Sequence, residues 1–327
     1  MLRAIGKLGA GARGLAAVGT SSLPLAIIGG LLYAAFFVKA EPEIGTLKAR
    51  PLERRDAFYG VAAPEGSVLW AAGSYGKIVR SEDGGLTWGV QGSPVITHLQ
   101  SIAAWDARRA VAVGNRGRVE ITDDAGKTWK EVTVPRSEVA NKLLQVRAYP
   151  DGAGWAVGEL GAVLKTADYG ATWTASSITG LGIGVLVTAI DIVGQYLVVV
   201  AKTENAYYVS QINQSTGAPG SWTKVTSGFV STKTPNDLFV ESANRVYFVA
   251  DGGYVYVSTD ILAGVSVLSA AGTTTSNLTR IHGNAGTLLA VGASNTSIKS
   301  TNRGHTWSAT SASVTGAHSA VAVDRKS

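Results

Sequence analysis

Short apolar runs, in which polar positions alternate, follow one another along the chain from about residue 58. Runs such as LWAAG, AVAVG and GWAVG each precede a second short run, such as GKIVR, GRVEI and GAVLK. An alternation with a period of two predicts half-buried β-strands, and the glycine-rich breaks between the runs predict tight turns. No amphipathic helical stretch of useful length occurs after residue 60. The pattern therefore predicts an all-β domain.

A recurring motif divides these strands into units. Its form is Ser/Thr-x-Asp/Asn-x-Gly-x-Thr-Trp, and the copies SEDGGLTW, TDDAGKTW, TADYGATW and STNRGHTW end at Trp88, Trp129, Trp173 and Trp307. Two degenerate units, near Trp222 and Val265, fill the gap, so that successive units are 41 to 49 residues apart. A repeat of this length with four short strands predicts a β-propeller. Six blades are favoured, and seven with a composite last blade are the alternative.

Each position of the motif has a structural explanation. The Asp or Asn side chain accepts backbone N–H groups inside a tight turn, and Gly supplies the positive φ that the turn requires. The Ser or Thr hydroxyl adds a hydrogen bond, and the Trp begins an outer strand where its ring can pack against a neighbouring sheet. The structural positions are Ser81, Asp83, Gly85, Trp88, Thr122, Asp124, Gly126, Trp129, Thr166, Asp168, Gly170, Trp173, Ser300, Asn302, Gly304 and Trp307.

The motif resembles the Asp-box, or BNR repeat, of sialidases and of the photosystem II stability and assembly factor family. The resemblance covers roughly residues 58–315, and the stretch WAVGELGAVLKTADYGATW is especially similar to the assembly factor family. It implies a propeller that binds reaction-centre precursors through a basic patch. The chain differs from that family in keeping an apolar N-terminal segment and in lacking the Asp-box in its fourth and fifth units.

The sequence predicts no catalytic, cofactor or metal site. Asn302 stands at the acid position of one repeat, where an amide cannot perform carboxylate chemistry. The acids outside the turns, Asp191 and Asp237 among them, are not paired by their spacing, and the four histidines are isolated. With no cysteine, a thiolate ligand or thiol nucleophile is excluded. A sialidase-like enzyme would also need an arginine triad and a tyrosine nucleophile with its carboxylate.

The N-terminal segment predicts a membrane anchor. Residues 14–38 carry no charge, and Arg3, Lys7 and Arg13 precede them, which favours a cytoplasmic N-terminus and an exported remainder. An uncleaved anchor is preferred, and a signal peptide cleaved near Val38-Lys39-Ala40 is the alternative. The predicted divisions are a tail at 1–13, an anchor helix at 14–39, a linker at 40–56 and the propeller at 57–327. Small residues every four positions predict a face for close helix packing, formed by Ser22, Ala26, Gly30 and Ala34.

The basic charge is concentrated in the first half of the domain. Residues 41–150 hold ten arginines and residues 151–327 hold four, yet the two parts carry nearly balanced charge, which argues against nucleic-acid binding. In a propeller, the turns between strands 2 and 3 share one face with the connections from strand 4 to the next strand 1. The basic residues predicted on that face, as contacts for a partner protein or lipid phosphate, are Arg54, Arg55, Lys77, Arg116, Arg118, Arg136 and Lys142.

Together these features predict a single-pass protein of a cell inner membrane or photosynthetic membrane, with a periplasmic or lumenal propeller. The expected role is that of a non-enzymatic scaffold, accessory or assembly subunit. Its expected partners are membrane lipid and an integral membrane protein complex. The family resemblance implies that this complex contains photosynthetic reaction-centre or light-harvesting subunits. A sialidase-like glycan-active or glycan-binding propeller and a surface or virion-associated interaction propeller are the alternatives.

Overall fold

The computed structural model describes residues 27–28, 52–53, 55–94, 96–135, 142–269 and 272–310. The chain divides into the units Met1–Arg50 and Pro51–Ser327. Nearly all of the predicted anchor, its small-residue face (Ser22, Ala26, Gly30 and Ala34) and the basic residues Arg54 and Arg136 lie outside the described residues. In the parts of the chain that are described, no helix combines the length and the apolar character needed to cross a bilayer.

Six four-stranded antiparallel sheets, each formed by consecutive strands, make up the described part of the propeller unit. Blade 1 comprises β1 (Phe58–Ala62), β2 (Leu69–Gly73), β3 (Ile78–Ser81) and β4 (Gly89–Gln91). Blade 2 comprises β5 (Leu99–Ala104), β6 (Ala110–Gly114), β7 (Val119–Thr122) and β8 (Lys130–Glu131). Blade 3 comprises β9 (Leu143–Ala148), β10 (Gly154–Gly158), β11 (Val163–Thr166) and β12 (Thr174–Ser176).

The second half repeats the same order without a crossover. Blade 4 comprises β13 (Val187–Val193), β14 (Tyr196–Ala201), β15 (Ala206–Ile212) and β16 (Pro219–Val225). Blade 5 comprises β17 (Pro235–Ser242), β18 (Arg245–Ala250), β19 (Val255–Ser258) and β20 (Ser266–Ser269). Blade 6 comprises β21 (Leu278–Asn284), β22 (Thr287–Gly292), β23 (Thr296–Ser300) and β24 (Ser308–Ala309). The prediction of an all-β propeller with six blades is confirmed.

Single 3-10 turns are the remaining regular elements of the described chain. Five of them, Ser74–Gly76, Asn115–Gly117, Glu159–Gly161, Lys202–Glu204 and Asp251–Gly253, connect strands 2 and 3 of blades 1 to 5. The sixth, Pro150–Gly152, connects strands 1 and 2 of blade 3.

The core lies between the blades. Five buried apolar clusters each join two successive blades, from blades 1 and 2 to blades 5 and 6. Trp129, at the end of the blade 2 motif, packs edge-to-face on Trp70 of blade 1 with ring centroids 5.8 Å apart. Trp173 and Trp307 likewise pack into the clusters with the preceding blades. Because fully burying a large apolar side chain contributes about 2–3 kcal/mol, these rings hold successive blades together.

Backbone hydrogen bonds define two faces of the disc. On the Asp-box face, the motif turns bond to the turns between strands 1 and 2, as in Ala125 N to Arg108 O at 2.9 Å and Tyr169 N to Gly152 O at 3.0 Å. On the other face, the turns between strands 2 and 3 bond to the residues that lead into strand 1. Examples are Ser74 N to Ala57 O at 2.8 Å and Asn115 N to His98 O at 2.9 Å. The second face is called the entry face below, because the chain enters β1 from it.

Candidate functional site

The Asp-box turns are closed hydrogen-bonded units. In blade 2, the Thr122 hydroxyl accepts from Gly126 N at 2.9 Å and donates to Asp124 Oδ1 at 2.9 Å. Asp124 also accepts from the backbone N and the hydroxyl of Thr128, at 2.9 and 2.6 Å. The bonds from Thr87 and Ser81 to Asp83, and those from Thr128 and Thr122 to Asp124, lower the pKa of both carboxyl groups to about 2. These bonds hold both carboxylates inside their turns, which is a structural role.

Asn302 makes the equivalent turn with an amide. Its Oδ1 accepts from Thr306 N at 2.9 Å and from the Ser300 hydroxyl at 2.9 Å. Its Nδ2 donates to the Thr306 hydroxyl at 2.8 Å, so this bond runs in the direction opposite to that of an aspartate turn. The threonine hydroxyl at this motif position can donate to an aspartate or accept from an asparagine, so the same turn accommodates either residue.

The entry face contains the basic residues predicted to bind a partner, but most of those described are already paired. Lys77 pairs with Asp56, Arg118 pairs with Glu131, and Arg55 lies 2.9 Å from Glu53. Lys142 Nζ lies 3.7 Å from Glu159 Oε1. Arg116 makes no ion pair with a described residue, and its side chain is exposed at the tip of a turn. The structure therefore leaves Arg116 as the unpaired cation among the described members of this set.

Three turn tips on the entry face hold large side chains in the left-handed region. Tyr75, Arg116 and Leu160 have φ values of 55°, 60° and 54°. The corresponding left-handed residues of blades 4 to 6 include Asn205, Gly252, Ser294 and Asn295. Glycine and asparagine adopt this conformation readily, whereas a bulky residue costs on the order of 1 kcal/mol. Blades 1 to 3 thus keep large, strained side chains where blades 4 to 6 have small ones.

Exposed apolar side chains accompany these tips. Tyr75 and Leu160 are 74% and 51% exposed, and Ile96, on the connection from blade 1 to blade 2, is 85% exposed. Ile183, on the connection from blade 3 to blade 4, is fully exposed. The described part of the entry face in blades 1 to 3 therefore combines four exposed apolar side chains with Arg116. An exposed apolar set of this kind is typical of a protein-binding surface.

A second group of polar residues lies in the centre of the disc, on the inner strands. Arg147 of β9 lies between Asp191 of β13 and Asp237 of β17, with Nε 3.8 Å from Asp191 Oδ2 and a terminal nitrogen 4.0 Å from Asp237 Oδ1. Gln145 Nε2 donates to Asp237 Oδ1 at 2.9 Å, and the Tyr149 hydroxyl donates to Asp191 Oδ1 at 2.8 Å. The spacing of the acids along the chain did not reveal this group, although Gln145 and Arg147 stand at alternate positions of β9 and Tyr149 directly follows its end.

The central group pairs a tyrosine with a carboxylate. Burial raises the pKa of Tyr149 well above its ordinary value, and the neighbouring Asp191 carboxylate raises it further. The phenol therefore keeps its proton and donates it to Asp191 in a hydrogen bond. Within the described residues, no group of three or more histidine and acidic side chains could hold a metal ion.

Comparisons with known proteins extend over most of the chain. The model of the family described as Photosynthesis system II assembly factor YCF48 matches residues 70–322. No curated protein sequence matches the chain. A solved structure of YCF48 bound to a D1 peptide is 16% identical, has a TM-score of 0.61, and is matched over 78% of this chain and 82% of that chain.

Two further solved structures have a similar fold. YCF48 from Cyanidioschyzon merolae is 15% identical, with a TM-score of 0.61 and coverage of 80% of this chain and 86% of that chain. The WD40 β-propeller domain of Doa1 is 10% identical, with a TM-score of 0.65 and coverage of 84% and 88%. At these identities the structural matches show the fold alone, whereas the family model covers blades 2 to 6 and blade 1 from Trp70 onward.

Proposed function

Because the chain belongs to the photosynthesis system II assembly factor YCF48 family, we propose that it is a membrane-anchored, non-enzymatic propeller that assists a photosynthetic reaction-centre complex. The match to the family model over residues 70–322 is the observation that carries this proposal. One structural relative binds a D1 peptide. By analogy, the partner of this chain is an integral membrane subunit of a reaction centre or light-harvesting complex.

The entry face of blades 1 to 3 is the proposed docking surface. Its exposed Tyr75, Ile96, Leu160 and Ile183 supply apolar contact area, and Arg116 supplies an unpaired guanidinium for a carboxylate or a lipid phosphate. The left-handed tips support this choice, since strained residues persist where the surrounding structure and the function require them. The paired residues Lys77, Arg118 and Lys142 would shape the surface more than they attract a partner.

The direction of the chain supports a proposal for the orientation at the membrane. Asp56 and Ala57 precede β1 on the entry face, where Ala57 O accepts from Ser74 N and Lys77 pairs with Asp56. The apolar run at residues 14–38 stands only a short linker before them. We propose that this run anchors the protein with its N-terminus in the cytoplasm and the propeller in the periplasm or lumen. The entry face would then point toward the membrane and its embedded partners.

A matched set of variants tests the docking surface. Replacing both Tyr75 and Leu160 with Asn keeps residues suited to the left-handed tips but removes the apolar side chains. Leu86, which is 86% exposed in an Asp-box turn on the other face, provides the control Leu86→Asn. Recovery of reaction-centre subunits from detergent-solubilised photosynthetic membranes should fall at least tenfold for the double variant and stay unchanged for the control. Equal recovery with all three proteins would reject the entry face as the docking surface.

One observation favours a second candidate, a glycan-active or glycan-binding propeller. A tyrosine–carboxylate pair, Tyr149 with Asp191, lies beside Arg147, and these are residue types that sialidase chemistry uses. The match to the assembly factor family over residues 70–322 makes this the weaker proposal. Release of the fluorophore from a methylumbelliferyl sialoside, lost in Tyr149→Phe, would support it.

A further inference from the structure

The most distinctive unassigned feature is a cavity of about 260 Å³ at the centre of the disc. It lies where inner strands of blades 1 to 3 end, so it is on the side of the Asp-box face and away from the entry face. Its polar side chains include Arg147, Tyr149 and His282, and its walls also include the small residues Ala62, Ala63, Pro64, Ala104 and Ala148. Arg147 is the cation among these lining side chains.

Arg147 has donors that the described chain does not use. Its side chain is only about 25% exposed, and its buried Nε donates no hydrogen bond among the described residues. The nearest carboxylate oxygens lie 3.8 and 4.0 Å away, which is beyond hydrogen-bonding distance. A guanidinium carries five N–H donors in a planar fork, and leaving a buried donor unsatisfied costs about 1–3 kcal/mol. The cavity thus contains a cation with unused hydrogen-bonding capacity.

The neighbouring acids are held by other donors. Asp237 accepts from Gln145 Nε2 at 2.9 Å and from the backbone N of Ile281 at 3.0 Å. Asp191 accepts from the Tyr149 hydroxyl at 2.8 Å and from its neighbour's backbone N at 2.8 Å. Asp237 uses both of its carboxylate oxygens in these bonds and Asp191 uses Oδ1, so in this arrangement the acids balance the charge of Arg147 without satisfying its donors.

A second guanidinium lies near Arg147. Arg280 donates to the backbone O of Thr279 at 3.0 Å and to that of Leu144 at 3.4 Å, so it is held by neutral groups. Burial lowers its pKa, Asp237 raises it and the nearby Arg147 lowers it further, which places the two cations in one electrostatic neighbourhood. Asp191 and Asp237 balance the charge of the two arginines, so an anion entering the cavity would gain chiefly from the unused donors of Arg147.

We propose that this cavity is a binding site for a carboxylate, held in a bidentate manner by Arg147. The planar fork matches a carboxylate, and such a charge-assisted pair is stronger than a hydrogen bond between neutral groups. A volume of about 260 Å³ admits a small organic acid or the free end of a peptide, but not a large ligand. The site is independent of the docking surface on the entry face, and none of the variants proposed for that surface alters it.

Isothermal titration of the full-length protein tests the site with succinate as the probe and a neutral diamide of the same length as the control ligand. A trialanine peptide with a free C-terminus, compared with its C-terminally amidated form, separates a chain end from a free acid as the source of the carboxylate. We expect at least one carboxylate probe to bind, and its neutral counterpart not to bind. Binding by the free-ended peptide alone would assign the site to chain ends.

Three variants complete the test. Arg147→Gln should weaken binding at least tenfold, and Ala63→Leu should do the same by filling the cavity while leaving every charge in place. Arg108→Gln removes another arginine of the Asp-box face, outside the cavity, and should leave binding unchanged. If no carboxylate binds to the wild type, or if Ala63→Leu and Arg147→Gln both bind as the wild type does, the proposal is wrong. Because Ala63→Leu preserves the central charges, it remains informative if Arg147→Gln fails to fold.

Discussion

Glu120 offers the sharpest test of the electrostatic description of the propeller. This residue lies on β7, its side chain is fully buried, and burial raises the pKa of its carboxyl group from 4.5 to about 7. Oε2 accepts from the Ser93 hydroxyl at 2.9 Å, whereas Oε1 has no hydrogen-bond partner among the described residues. Arg118 opposes the rise in pKa and Glu131 adds to it. The structure therefore predicts that Glu120 holds a proton at pH values where an exposed glutamate has lost it.

The direction of the pH effect follows from the two pKa values. Below pH 4.5 the carboxyl is protonated in the folded and unfolded states, and its titration does not alter stability. Between pH 4.5 and about 7 the folded state retains the proton that the unfolded state has released, so the free energy of unfolding falls as the pH rises. Above pH 7 the full cost is reached. At about 1.4 kcal/mol per pKa unit, that cost is about 3 kcal/mol.

Glu120→Gln should remove this cost, because an amide imitates the neutral carboxyl. Urea unfolding at pH 4.5 should give free energies for the variant and the wild type that agree within about 0.5 kcal/mol. At pH 8 the variant should be more stable by about 3 kcal/mol. Glu82→Gln is the matched control, since the Glu82 side chain is exposed and its charge is paired with Arg80. A stability difference for Glu120→Gln that does not change between pH 4.5 and 8 would refute the reasoning.

Three further predictions concern the turns. Asp124→Asn should keep the Asp-box turn, because Asn302 forms the same turn with its amide. Asp124→Ala should lower the free energy of unfolding, measured by urea titration, by about 1–3 kcal/mol, because the hydrogen bonds to the carboxylate are lost. The depressed pKa values of Asp83 and Asp124 contribute stability that is present above pH 4 and is lost as the pH falls toward 2. Acid unfolding, followed by circular dichroism, should therefore occur within that pH range. If the variant that combines Asp83→Asn with Asp124→Asn unfolds at a higher pH than the wild type, the reasoning is wrong. Leu160→Asn should raise the free energy of unfolding by about 0.5–1 kcal/mol, because its left-handed φ of 54° suits Asn, and an unchanged or lower melting temperature would contradict the strain argument.

The sequence determines the blades because their chemistry is local. Each Asp-box turn closes between a hydroxyl and residues two to six positions later, so the motif from Ser81 to Trp88 contains what its turn needs. Repetition at a nearly constant spacing then predicts the blade number. The blades that lack the motif, blades 4 and 5, were still recognisable from alternating strands such as RVYFVA, which forms β18.

The central group could not be found in the same way because it is non-local. Arg147 approaches Asp237, 90 positions later in the chain, only when three inner strands converge at the axis of the disc. Alternation of Gln145 and Arg147 on the otherwise apolar strand β9, with Tyr149 directly after it, was a visible indication that their face is not a core face. The pairing of Lys77, Arg118 and Lys142 with acids was likewise hidden, because net charge over a region does not tell which cations remain free.

The most direct test of the proposed function is a native-membrane pull-down with mass spectrometry, using the full-length protein in a mild detergent. The proposal predicts that wild type and Leu86→Asn recover subunits of a photosynthetic reaction-centre complex, and that the variant with Asn at both Tyr75 and Leu160 does not. A wild-type protein that runs alone, or a double variant that recovers the same subunits in the same amounts, would contradict it.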